Sequence, residues 1–388
     1  MSENDKIMFW AAAFHNGYIN NKDVNEMLSQ KVISNFYEST DLNILKDIDD
    51  FDVGYKLKLK CKEIVRNYKS IEEVSYNMRE DMSSQNIFAV TENDSDYPYY
   101  WHKLSGMPRV IFCKGKRDIL KDLDNGSCAV VGSREPSGYA LMACSDILGD
   151  VLNKKITIVS GMALGIDRCA HKLALEKGGN TIAFLAGGPD NIYPWANKDI
   201  YDQMCYRGLI VSEMPPGTKA QRQYFPSRNR LISAISDVCI IMEAGIHSGT
   251  LHTASFAVSQ GKGVYVLPNT IYSENAQGGL KLIQDGATIL INSDDIINDV
   301  AECCYFRLLE KRGEIDNAII PGSEEEMNDD QYKSLIIKEL STKPQTSDML
   351  CTRINLPFYR ITALLSELEM NGRVEQSRGK FLLTISKQ

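Results

Sequence analysis

No stretch of this chain is apolar for long enough to cross a bilayer. Apolar runs such as residues 238–242 and 288–291 fall far short of the roughly 20 residues that a spanning helix needs. No signal peptide is read at the start, where residues 1–6 are polar and carry both signs of charge. Metal or redox cysteine pairs are missing too. The ten cysteines are scattered through apolar segments, without a Cys-x-x-Cys pair or a His at ligand spacing, so they read as reduced thiols of a cytoplasmic protein. A basic excess is also lacking. The 43 Lys and Arg stand against 51 Asp and Glu, a net charge of −8, which speaks against unspecific attraction to nucleic acid. The balance is uneven, however: residues 330–388 hold nine bases against six acids, and residues 308–329 hold seven acids against two bases. What is present is ordinary globular composition, 43% hydrophobic and 24% charged over 388 residues, which suggests two or three domains.

Residues 1–85 read as helices only. Segments 5–14, 21–29, 30–37, 41–46 and 52–68 place apolar residues three and four apart, with Asp, Asn or Ser near their starts. This predicts a small helical domain without a catalytic constellation. Over residues 86–305, short runs rich in Val and Ile alternate with helical stretches. Strands are predicted at 110–113, 128–131, 156–159, 181–185, 209–212, 238–242, 263–266 and 288–291. Continuous β-branched runs between helices indicate a parallel sheet covered on both faces. The expected fold class is α/β, a doubly wound Rossmann-like sheet. Residues 306–330 are acidic and lack an apolar period, as a linker does. Over 331–388, predicted helices at 332–340, 347–351 and 357–371 precede a hairpin at 373–385, the order of a winged helix.

Ligands of an open parallel sheet bind beyond the carboxyl ends of its strands, and four segments fall at such places. After the strand at 128–131, Gly132 allows a tight turn, Ser133 follows it, and Arg134 adds a forked cation suited to phosphate. Neither Gly-x-Gly-x-x-Gly nor Gly-Lys-Ser/Thr is present, so this is not a dinucleotide or Walker loop. A plain turn with a solvated Arg is an equal reading. The second segment runs from Ser160 and Gly161 through Ala163 to Gly165, small enough for close approach to a ligand. Asp167 reads as a helix N-cap, and His171 reads as a structural histidine. The third segment interleaves Arg222, Phe225, Arg228, Asn229 and Arg230, which suits phosphates and stacked bases, with a solvated helix start as the bland alternative. In the fourth, Ser248, Gly249 and Thr250 offer hydroxyls and amides at a helix N-terminus. His247 and His252 are five apart and match no zinc pattern, and no cofactor is expected.

At these residues the chain resembles the DNA-processing protein A family (DprA, also called Smf). The family's strings are met at 130–137, 160–171 (SGMALGIDRCAH), 186–197 with its YPWAN, 212–213, 225–230 (FPSRNR), 248–254 and 282–287. They run in order over about 200 residues. The family has Pro-Gly where Pro268-Asn269 stand here, and an Asn where Leu280 stands. The resemblance implies a sterile-alpha-motif-like helical N-terminus, a Rossmann-like DNA-binding domain and a C-terminal winged helix. It implies a non-enzymatic protein that binds single-stranded DNA, helps load the recombinase RecA in natural transformation, and forms a homodimer through the α/β domain. Carried over by motif, Gly132, Ser133, Arg134, the Ser160–Gly165 loop, Arg222, Phe225, Arg228, Asn229 and Arg230 would line the DNA groove. Two other readings stay open. A phosphoribohydrolase on a related fold would carry a Pro-Gly-Gly-x-Gly-Thr-x-x-Glu string, but residues 244–254 lack the second Gly pair and the downstream Glu. A nucleotide-sensing regulator that uses the winged helix on duplex DNA is the third.

Overall fold

A computed structural model describes residues 3–19, 21–30, 32, 45–311, 329–341 and, from 345 to 383, a series of shorter pieces. The chain divides into two compact units, residues 1–307 and 308–388. Among the described residues, no helix is long and apolar enough to cross a membrane.

The first unit opens with helices Glu3–His15, Asn21–Ser29, Tyr55–Arg66 and Tyr68–Ser84. Leu57, Cys61 and Ile64 are buried at helical spacing and pack in one core with Phe9, Trp10, Met27 and Ile71. The helix expected over 52–68 instead ends at Arg66. Asn67 leaves the helical region and its side-chain amide donates to the Glu63 carbonyl, 2.9 Å away, which closes one helix before the next begins. Ile87 and Phe112 of the following sheet belong to the same apolar core. The helices expected at 30–37 and 41–46 lie largely outside the described residues.

Nine strands of the described chain form one sheet in the order β1-β2-β6-β5-β4-β3-β7-β8-β9. They are β1 (Ile87–Thr91), β2 (Val110–Gly115), β3 (Ser127–Val131), β4 (Thr157–Ser160), β5 (Thr181–Phe184), β6 (Leu209–Ser212), β7 (Val238–Ile241), β8 (Gly263–Val266) and β9 (Thr288–Ile289). From β6 to β9 every pairing is parallel, with Ala129 opposite Cys239 and Val159 opposite Ile182. Helices between the strands cover both faces, and two separate apolar clusters lie on the two sides. This is the doubly wound Rossmann-like fold that the alternation predicts. The edge differs. β1 was not expected, and both β1 and β2 run antiparallel to their neighbours. Between them lies only a 3-10 turn, Tyr99–Lys103, and without a crossover helix the chain returns in the opposite direction.

After β3 the chain builds β4, β5 and β6 on one side, then crosses to β7 on the other side of β3. The loops that leave β3 and β7 therefore part at the carboxyl edge and open a crevice between them.

In the second unit, helix Asp329–Leu340 precedes the antiparallel pair β10 (Val374–Ser377) and β11 (Lys380–Leu383). A bridge between Gln345 and Phe381 adds a third short element to the pair. Tyr332, Ile336, Leu340, Leu365, Leu368 and Phe381 form the core of this unit. Most of the acidic segment 306–330 and much of the two expected helices at 347–351 and 357–371 fall outside the described residues.

Candidate nucleic-acid interface

The four segments singled out in the sequence meet at one edge of the sheet, three as the loops after β3, β4 and β7 and one as the start of helix Tyr224–Ile235, and they are tied to one another. Ile166 N donates to Ser133 O at 3.1 Å, which clamps the loop after β4 onto the loop after β3. Gly165 is required at this crossing. Its φ is +74°, and a Cβ there would lie 2.2 Å from Ser133 O. Thr250 Oγ1 donates to Gly132 O at 3.1 Å, and Asn229 Nδ2 donates to Gly249 O at 3.4 Å, joining the loop after β7 and helix Tyr224–Ile235 to the same cluster.

Beneath this edge lies a buried polar centre. Arg228 Nη1 donates to Gly161 O at 2.5 Å and also to Phe184 O. The Asp167 carboxylate accepts from Gly161 N at 3.0 Å and Ala163 N at 3.2 Å. Burial pushes the Asp167 carboxyl up and the Arg228 guanidinium down to about 10, while each charge partly offsets the shift of the other. Asn197 adds a second tie by donating to Met162 O at 2.7 Å and Ala163 O at 3.0 Å.

Several expected contact residues face inward. Arg228 is 7% exposed, Thr250 8% and Ser160 fully buried. The Ser160 hydroxyl donates to Val130 O at 2.6 Å, and the Thr250 hydroxyl is committed to Gly132. In this structure Arg228 Nη1 and the hydroxyls of Ser160 and Thr250, expected to line the groove, donate to backbone carbonyls, and so these three side chains hold the loops from within. Arg230 is half-buried and grips Glu213 through two 2.7 Å contacts. Ser133 Oγ accepts from Glu135 N at 3.1 Å within its own turn. Asp167 sits in the first turn of helix Ile166–Glu176, and Gly165 takes the N-cap position expected of Asp167. His171 is buried, with Nδ1 2.7 Å from Thr181 Oγ1, and burial pulls its pKa down to about 3.

The outward groups are different ones. Arg134 and Arg222 are exposed and, among the described residues, form no ion pair. Arg134 lies near enough to Arg228 for its charge to help depress the buried guanidinium. The Phe225 ring lies 5.8 Å from the Arg228 guanidinium carbon and meets the Tyr193 ring edge-on at 5.6 Å. Tyr193 is 52% exposed and Trp195 67%. Sequence reasoning passed over this aromatic pair. Its signal was two aromatic residues flanking Pro194 in a loop at the carboxyl edge, where large rings left in water call for a partner.

Residues 88–301 match the model of the family described as DNA recombination-mediator protein A. The chain belongs to that family. Residues 323–380 match the DprA winged helix domain, in keeping with the helix and strand pair of the second unit. DNA processing protein DprA of Bacillus subtilis is 33% identical over 240 residues, covering 62% of this chain and 79% of that protein. The Streptococcus pneumoniae DprA is 36% identical over 204 residues, 53% of this chain and 71% of its own. Its X-ray structure superposes over 77% of this chain and 98% of that one, with a TM-score of 0.61 at 26% identity. DNA processing protein A of Helicobacter pylori, whose structure was reported for its single-stranded DNA binding mode, covers 57% of this chain and 98% of its own, with a TM-score of 0.51 at 30% identity. The recombination-mediator match spans β1 to the final helix of the first unit, so it contains the whole carboxyl-edge cluster.

Proposed function

We propose that this chain binds single-stranded DNA across the carboxyl edge of its sheet and passes it to the recombinase RecA, as a mediator of recombination in natural transformation. The observation that carries this reading is the surroundings of buried Arg228. Exposed Arg134 lies near enough for its charge to act on the guanidinium, and the ring of Phe225, with Tyr193 against it, lies 5.8 Å from the guanidinium carbon. An exposed cation near the half-buried Phe225 ring and the exposed Tyr193 ring suits a flexible strand, whose phosphates meet the cation while its bases stack. Gly132, Gly161, Ala163, Gly165 and Gly249 bring the backbone close, Arg222 adds charge, and Ser133, Ser248 and Asn229 shape the loops. Arg228, Arg230, Ser160 and Thr250 hold these loops in place. The Helicobacter pylori relative supports the same ligand class.

The chain acts in the cytoplasm as a homodimer through its Rossmann-like domain. Ile289 and Ile291 are exposed in and just after β9, the last strand of the sheet, and Ile271 and Tyr272 in the loop after β8, as an apolar contact between copies requires. The helical segment 1–85 and the winged helix 331–388 serve as flanking domains.

The role is non-enzymatic. Glu243, in the loop that leaves β7, is buried, and its carboxylate accepts from Ser137 N at 2.8 Å and Asn269 Nδ2 at 3.2 Å. A carboxylate held in this way is poorly placed to activate a nucleophile.

The test is an electrophoretic shift with equal lengths of single-stranded and duplex DNA at two salt concentrations. Preference for the single strand, weakening as salt rises, is expected from phosphate contacts that release counterions. Equal affinity for duplex, or binding indifferent to salt, overturns the reading.

A further inference from the structure

At the amino ends of β7 and β8, on the edge of the sheet opposite the loops described above, lies a cleft of about 530 Å³. Tyr100 stands in its wall. Lys262 Nζ lies 4.6 Å from the centre of that ring, the Arg307 guanidinium carbon 5.1 Å and Lys103 Nζ 5.8 Å from it. The acids around the cleft are mostly engaged. Asp237 is bound by Arg307 and by the backbone N–H of Ser127, and Asp299 accepts the Tyr265 hydroxyl. Glu302 is exposed to water at the rim. Among the described residues, no carboxylate lies within ion-pair distance of Lys262, and burial lowers its pKa. Gln260 also lines the cleft, and its buried amide oxygen has no donor, while its nitrogen donates to Arg230 O at 3.0 Å. Leu104, Val238 and half-exposed Phe306 supply the apolar wall.

We propose that this cleft binds a nucleotide, with the phosphate held between Lys262 and Lys103 and the base laid against Tyr100 and Phe306. Among the described residues, the only carboxylate charge acting on half-buried Lys262 is that of Asp237, which Arg307 already holds, so a phosphate oxygen would relieve the ammonium. The volume falls in the range of small-ligand sites, and the mix of aromatic wall and a few converging polar groups is what such sites use. The same chemistry is offered by a free mononucleotide and by the phosphorylated end of a DNA strand.

Calorimetric titration of the full chain with thymidine monophosphate and with a 5′-phosphorylated trinucleotide tests this. Thymidine monophosphate should bind the parent and Arg134→Ala alike. Lys262→Gln should weaken that binding about tenfold or more. Phe306→Ala, at an exposed position, should weaken it as well, and it serves if the Lys262 variant folds poorly. A phosphorylated trinucleotide that binds more tightly than the mononucleotide, still through Lys262, assigns the cleft to strand ends, and equal binding assigns it to free nucleotides. The proposal is overturned if neither ligand binds at millimolar concentration, or if binding is lost in Arg134→Ala and unchanged in Lys262→Gln.

Discussion

The guanidinium of Arg228 occupies the space that a side chain at Gly161 would need. A Cβ built on Gly161 would lie 2.6 Å from Arg228 Nη1, and that nitrogen donates to the Gly161 carbonyl. The two residues form one unit beneath the carboxyl edge. Arg228→Met should leave the Gly161 and Phe184 carbonyls without donors and Asp167 without its neighbouring charge, lowering stability by about 3–5 kcal/mol. Arg134→Ala, at the surface, should change it by no more than about 0.5 kcal/mol. Urea unfolding of the two variants checks this, and equal stability would refute the supporting place given to Arg228.

Phe225→Ala should weaken binding of a labelled single strand about 5- to 150-fold, since stacking contributes about 1–3 kcal/mol per base. Trp195→Ala should act in the same direction. Fluorescence anisotropy gives the affinities and thermal melting shows whether the fold persists. Arg134→Ala should also make the salt dependence shallower, by about 0.7 in the logarithmic slope for a single lost contact.

A protein ending at Arg307 should keep much of the affinity for single strands, because the aromatic and arginine groups belong to the first unit. Filter binding compares it with the whole chain. Loss of all binding would move the site to the winged helix.

His171 predicts a pH effect. Burial depresses its pKa to about 3 in the folded state, against 6.5 for a free imidazole side chain. Above pH 6.5 both states are neutral and it contributes nothing. Below that value the unfolded chain takes up a proton that the folded one refuses, so stability falls by about 1.4 kcal/mol per pH unit down toward pH 3. Denaturant titrations of the parent and His171→Gln at pH 7.5, 6 and 5 should show the parent losing more on acidification. Parallel losses would place the pH sensitivity elsewhere.

Nucleoside monophosphates incubated with the protein should release neither base nor phosphate, given the engaged Glu243 and the neutral, enclosed His171. Chromatography of the mixture measures this. Turnover that co-purifies with the protein would favour the phosphoribohydrolase reading.

The sequence alone determined the alternation of strands and helices, and with it a parallel sheet whose loops gather at one edge. Those signals are local: β-branched runs such as 238–241, small residues after strands, and motifs in a fixed order. It also held an unread warning about Arg228, which shares the buried helical stripe of Leu231, Ile232 and Ile235. Only the tertiary structure decided which arginines reach solvent. The partners of Arg228 lie 67 and 44 residues away in the chain, and they reach it only because β4 and β5 lie side by side. Likewise Tyr193 meets Phe225 only once the loop after β5 folds over helix Tyr224–Ile235. A charge in a linear string carries no record of its depth, because burial is set by contacts between segments that are remote in sequence.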